Sequence, residues 1–124
     1  MTTHIWPTFK YRNARAAIRF LHDAFGFEEV AVYAGDTEDE VAHAELRWPE
    51  GGGVMLGSAR NGDAPVGSVY VVTSDVDTLH ERAQRAGAEI VYPLRDEDYG
   101  NHTFTARDPE GVTWSFGTYA GENG

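Results

Sequence analysis

Apolar residues recur along this chain with two different periods. Ala14, Ile18, Leu21 and Phe25 fall at helical spacing, and so do Val76, Leu79, Ala83 and Ala86, so each run has one apolar stripe to bury. Asn13 and Ser74 stand ahead of these runs as N-caps, Ser74 with Asp77 fits a capping box, and Gly26 and Gly87 follow where a left-handed residue ends a helix. Elsewhere the period is two. Residues 8–11 and 69–73 read as strands ahead of the helices, 30–33 and 89–92 as single strands after them, and 41–48 with 54–57, and 102–107 with 113–118, as hairpins. Pro-Glu-Gly lies at the centre of each hairpin, because Pro presets φ and Gly accepts a positive φ.

Each half of the chain is therefore β-α-β-β-β, and the halves repeat at an offset of about 60 residues. The first module spans about 4–58 and the second about 68–120, joined by a polar, Gly- and Pro-containing linker at 59–67. Neither module is large enough to cover its own sheet and helix. The pattern predicts an α+β fold and a single domain over 1–124, in which tandem βαβββ modules form a curved mixed sheet with both helices on the outer face.

Composition narrows the chemistry. There is no cysteine, which removes disulfides, thiolate zinc sites and cysteine nucleophiles. A net charge of -10 repels phosphate backbones, so nucleic acid is not an expected partner, while a cationic small molecule suits the field. No apolar run approaches the roughly 18 residues of a membrane span, and a cytoplasmic protein with no membrane partner is expected.

The tandem pair carries Asn-Ala-Arg-Ala-Ala-Ile-Arg-Phe-Leu from Asn13, Phe-Gly-Phe-Glu from Phe25, Asp-Val-Asp from Asp75 and Asp-Pro-Glu-Gly-Val-Thr-Trp-Ser-Phe-Gly from Asp108. In these motifs the chain resembles the vicinal-oxygen-chelate superfamily, which includes glyoxalase I, extradiol dioxygenases, fosfomycin-modifying enzymes and bleomycin-binding proteins. The resemblance covers nearly the whole chain and bears on the fold far more than on the reaction. It implies four inward-facing metal-ligand positions, usually His and Glu, two from each module. Carried over residue by residue, they are Trp6, Met55, Ser68 and Ser115, none of them a His or a carboxylate. Hard divalent cations want oxygen or imidazole donors, so no metal and no other cofactor is expected.

His4, His43, Glu45 and His102 are the other candidate donors. His43 and Glu45 share a strand face at i, i+2, but two groups are too few for a site. His22 and His80 fall on the helices, at positions expected to be surface.

With the four carried-over positions fixing the inner face, strand alternation puts Trp6, Thr8, Met55, Ser68, Tyr70, Thr113 and Ser115 on the concave side, with His43, Glu45, Thr103 and Thr105 from neighbouring strands. Phe9, Val54, Leu56, Val69, Val71, Trp114 and Phe116 then face the helices. Such a face, aromatic and hydroxylated, suits a small-molecule ligand, with Trp6 and Tyr70 meeting across the pseudo-twofold axis as a stacking wall. Two acidic loops, at 36–40 and at 96–98 with Tyr99, are expected to rim it. The resemblance also implies a homodimer. Three functions remain open at this point: a sequestering protein for a small aromatic or cationic compound, a metal-dependent lyase, dioxygenase or isomerase, and a metal-free enzyme with His43 or His102 as base and Glu45 orienting it.

Overall fold

The computed structural model describes residues 5–59 and 67–120. His4 and all of the expected linker except Ala59 and Gly67 lie outside the described residues. The first module runs β1 (Thr8–Tyr11), α1 (Ala14–Phe20) with a π-helical turn (Leu21–Phe25), β2 (Glu28–Ala34), β3 (Val41–Arg47) and β4 (Gly53–Ser58). The second runs β5 (Ser68–Val72), α2 (Val76–Arg85), β6 (Glu89–Glu97), β7 (Asn101–Arg107) and β8 (Thr113–Gly117). The curved mixed sheet is built as two four-stranded halves of equivalent order, β1-β4-β3-β2 and β5-β8-β7-β6, each with one parallel pair made by its first and last strands. No helix among the described residues is long and apolar enough to cross a membrane.

The predicted caps hold with one shift. Asn13 accepts from the Ala16 N–H, but Asp75 rather than Ser74 caps α2, accepting from the Thr78 N–H. Asp75 holds the place equivalent to Asn13, so the shift restores the repeat. Gly26 and Gly87 take φ of 86° and 85°, the left-handed conformation that ends each helical run.

Ala14, Ala17, Ile18 and Leu21 are buried on the first helix and Val76, Leu79 and Ala83 on the second, as their spacing predicts. Beneath them one aromatic cluster spans both modules. The Trp114 ring lies 5.7 Å from Phe25 and 5.4 Å from Phe27, Phe25 lies 4.8 Å from Phe116, and Phe27 lies 5.0 Å from Trp48. Three of these rings come from the first module and two from the second, so neither core is complete without the other.

The two Pro-Glu-Gly turns do more than reverse the chain. Glu110, in the second module, accepts from the backbone N–H groups of Arg12 and Asn13 at 2.7 Å each, just ahead of α1. Glu50, in the first, accepts from the Ser74 N–H at 3.0 Å and from the hydroxyls of Thr73 and Ser74, just ahead of α2. Each module thus holds the helix entry of the other. Burial works against the Glu50 anion, but the bonds from Ser74 and Thr73 outweigh it and lower its pKa.

Asp108 is buried between the modules. One oxygen accepts from the Tyr11 hydroxyl at 2.6 Å and the Trp114 indole N–H at 3.1 Å, while the other takes the N–H groups of Glu110 and Val112. Burial, reinforced by the Asp108 charge, pushes the Tyr11 phenol well above its ordinary range, so it stays a donor.

Candidate functional site

Strand register assembles the concave face. In the first module Thr8 pairs with Met55 and Met55 with Glu45, and in the second Tyr70 pairs with Ser115 and Ser115 with Thr105. Residues opposite one another across a ladder share a face, so Met55 and Ser115 hold equivalent places in the two halves. Ser68 begins β5 and is exposed, as is Thr8 on β1, while Thr113 is half-buried on β8. Phe9, Val69 and Val71 pack against the core, and Val54, Leu56, Trp114 and Phe116 are buried in it, which leaves the opposite face for the predicted cavity residues.

Trp6 is half-buried over β4, where a Cβ built on Gly53 would come within 2.8 Å of the indole. Only glycine leaves room for the ring there. A recess of about 330 Å³ beside it is lined by Trp6, Val30, Arg47 and Trp48. Tyr70 lies over Gly117 in the same way, its hydroxyl donating to the Tyr119 carbonyl at 2.6 Å. Burial raises the Tyr70 pKa despite an opposing bond with Asn101. Tyr70 lines a second, larger cavity of about 570 Å³ that does not include Trp6. The expected wall of Trp6 against Tyr70 is therefore corrected: the two rings line separate concavities, because the first strands of the modules are not paired with each other.

His43 and Glu45 do share a face. The His43 Nε2 lies 2.9 Å from a Glu45 oxygen, and its ring stacks on Tyr33 at 6.3 Å and 21°. Thr103 and Thr105 are on the predicted side but are 2% and 3% exposed, and their hydroxyls are already engaged with the Phe116 carbonyl and the Ser115 hydroxyl. They form a buried floor beneath the concave face. Lys10 joins the face, its Nζ lying over Gly57, and Arg95 joins it from β6, opposite Thr103 and 5.2 Å from the Tyr92 ring. Lys10 follows Thr8 at i+2 and was legible by alternation. Arg95 was not, because β6 runs beyond Pro93 through irregular pairing.

His102 is not at the concave face. Its Nδ1 lies 2.8 Å from Asp96 and its Nε2 2.6 Å from Asp77 on α2, so its ring faces the helix layer. The acidic loop expected at 96–98 is correspondingly shorter, since Asp96 and Glu97 belong to β6. His80 is half-buried edge-on to Phe104 rather than a surface residue. Hydrogen bonding to Asp77, then to Asp96, raises the His102 pKa above the usual 6.5. A raised folded-state value means the contact stabilises fully below the unfolded pKa and is lost as pH rises through the folded one. The melting temperature of the wild type should therefore exceed that of His102→Asn most below the ordinary histidine pKa of about 6.5, with the gap closing as pH rises above it. A gap that widened with pH would contradict this geometry.

Among the described residues, no group of three or more His, Asp or Glu side chains is placed to hold a metal ion.

A family model described as Glyoxalase/Bleomycin resistance protein/Dioxygenase superfamily matches residues 8–116 of the chain. An uncharacterized protein of Mycobacterium bovis is 31% identical over 123 residues, covering 90% of this chain and 80% of that protein. The crystal structure of TioX from Micromonospora sp. ML1 superposes with a TM-score of 0.80 at 30% identity, covering 94% of this chain and 98% of that one. A glyoxalase I mutant from Zea mays matches with a TM-score of 0.78 at 17% identity, covering 96% of this chain and 46% of that one, a likeness of fold alone.

Proposed function

The chain belongs to the Glyoxalase/Bleomycin resistance protein/Dioxygenase superfamily, and from that premise we propose that it is a binding protein that holds a small aromatic or cationic compound on its concave face without the metal chemistry of its catalytic relatives. The observation that carries this reading is the residue set at the four carried-over positions. Met55 offers a thioether, Trp6 an indole, and Ser68 and Ser115 neutral hydroxyls, with the Ser115 oxygen already 2.8 Å from that of Thr105. A hard divalent cation wants charged oxygens and imidazoles, so this donor set does not fit one. The same positions suit contact with a flat apolar ligand. Trp6 and Met55 supply area, Thr8 and Ser68 supply hydroxyls, and the His43–Glu45 pair supplies a polar end.

A net charge of -10 favours cationic compounds in the encounter. The exposed side chains of Val30, Tyr33 and Tyr92 favour a homodimer that covers them, and sedimentation showing only monomer at micromolar protein would remove that part of the reading. The main test is a thermal-shift screen of aromatic and cationic antibiotics and metabolites in the presence of EDTA. A compound at a hundred times its Kd should stabilise the protein by about 2.7 kcal/mol. Stabilisation that appears only when a divalent metal is added would favour a metal-dependent lyase, dioxygenase or isomerase instead.

A further inference from the structure

The larger cavity lies off the four carried-over positions, along the seam where the modules meet, and one of its walls is a strand edge. β5 pairs with β8 in register from Ser68 to Val72, without a bulge. Gly67 accepts from the Thr113 N–H and Thr73 donates to the Gly117 carbonyl, so the odd-numbered residues of this strand direct their backbone groups at β8. Backbone groups alternate sides along a strand, and those of Tyr70 and Val72 therefore point away from β8, into the seam. The Val72 carbonyl bears this out, since it accepts from the Trp48 indole N–H across the seam at 3.1 Å. Among the described residues, β5 has no strand partner on that side.

We propose that this seam is a binding site for an extended, amide-bearing compound with an aromatic side group. Its volume of about 570 Å³ falls within the usual range of small-molecule sites, roughly 300–1,000 Å³. Pro7, Trp48, Val54 and the Tyr70 ring provide apolar walls for the aromatic group. One residue of the ligand, lying parallel to β5, donates its own N–H to the Tyr70 carbonyl and accepts at its own C=O from the Val72 N–H, which is the pairing a parallel strand would make. An aromatic compound without an amide fills the walls but leaves these backbone groups unmatched. The inference rests on the binding-protein reading, and it adds a site and a ligand class to it.

The probe is N-acetyl-tryptophanamide, titrated by NMR or calorimetry beside N-acetyl-N-methyl-tryptophanamide, whose methylated acetamide nitrogen lacks the N–H that meets the Tyr70 carbonyl. The parent amide is expected to bind at least tenfold tighter than the N-methyl compound. Val72→Pro removes the N–H that points into the seam while leaving the β5–β8 ladder its bonds, since an edge strand accepts Pro at such a position. It is expected to weaken amide binding at least tenfold with the melting temperature little changed. Equal binding of the two compounds, or equal binding of the parent amide by wild type and Val72→Pro, overturns the proposal, as does failure of the parent amide to bind. Should Val72→Pro fail to fold, the comparison of the parent amide with the N-methyl compound on the wild type decides alone. Amide binding that is lost in Trp6→Ala but kept in Val72→Pro would overturn the seam while leaving the concave-face reading intact.

Discussion

Asp108→Ala is expected to destabilise the protein by roughly 3–5 kcal/mol, the largest effect of any single substitution considered for this chain. The carboxylate is 5% exposed and accepts four hydrogen bonds, from the Tyr11 hydroxyl, the Trp114 indole and two backbone N–H groups of its own turn. Removing it leaves those donors buried and unmatched, and a donor without an acceptor costs about 1–3 kcal/mol. Tyr11 belongs to the first module and Trp114 to the second, so the loss falls where the modules meet. The melting temperature should drop by about 10–20 °C. Asp108→Asn keeps one acceptor oxygen but turns an NH2 donor toward the other pair of donors, so it should recover only part of the loss. A melt of Asp108→Ala within a few degrees of the wild type would mean that the junction does not depend on this residue.

The second large effect concerns binding. Trp6→Ala should weaken a concave-face ligand by about tenfold or more, since a stacked ring contributes on the order of 1 kcal/mol beyond its buried area and the area itself is lost too. The indole lies on the sheet surface over Gly53, outside the buried aromatic cluster, so its loss should cost far less stability than a core deletion. Titration of a ligand found by thermal shift, together with a melt of the variant, separates the two roles. Unchanged affinity, or unfolding on the scale of a core deletion, would make Trp6 a structural residue.

The repeat was legible because each module writes it in the same two periods and ends each helix on a glycine. The inner face followed from it by parity alone, and Met55, Tyr70 and Ser115 fall on the side that alternation gives them. Depth did not follow. Thr103 and Thr105 have the parity of cavity residues, but they lie on a strand flanked on both sides, where their hydroxyls are consumed by β8. Parity also says nothing of what lies across an unpaired edge, which is why the expected meeting of Trp6 and Tyr70 gave way to two concavities. The carboxylates of Glu50 and Glu110 looked like ordinary turn residues. Their work is to cap the other module's helix entry, and contacts about 24 and 97 residues distant leave no trace in local pattern.

The inner face is proposed to bind an organic compound where catalytic relatives hold a metal. Metal analysis of the purified protein, followed by melts with and without EDTA, tests it most directly. Far less than one equivalent of Zn, Ni, Mn or Fe per chain is expected, with the same melting temperature in both melts. One equivalent of a single metal, with a drop of several degrees on chelation that the same metal restores, would contradict it.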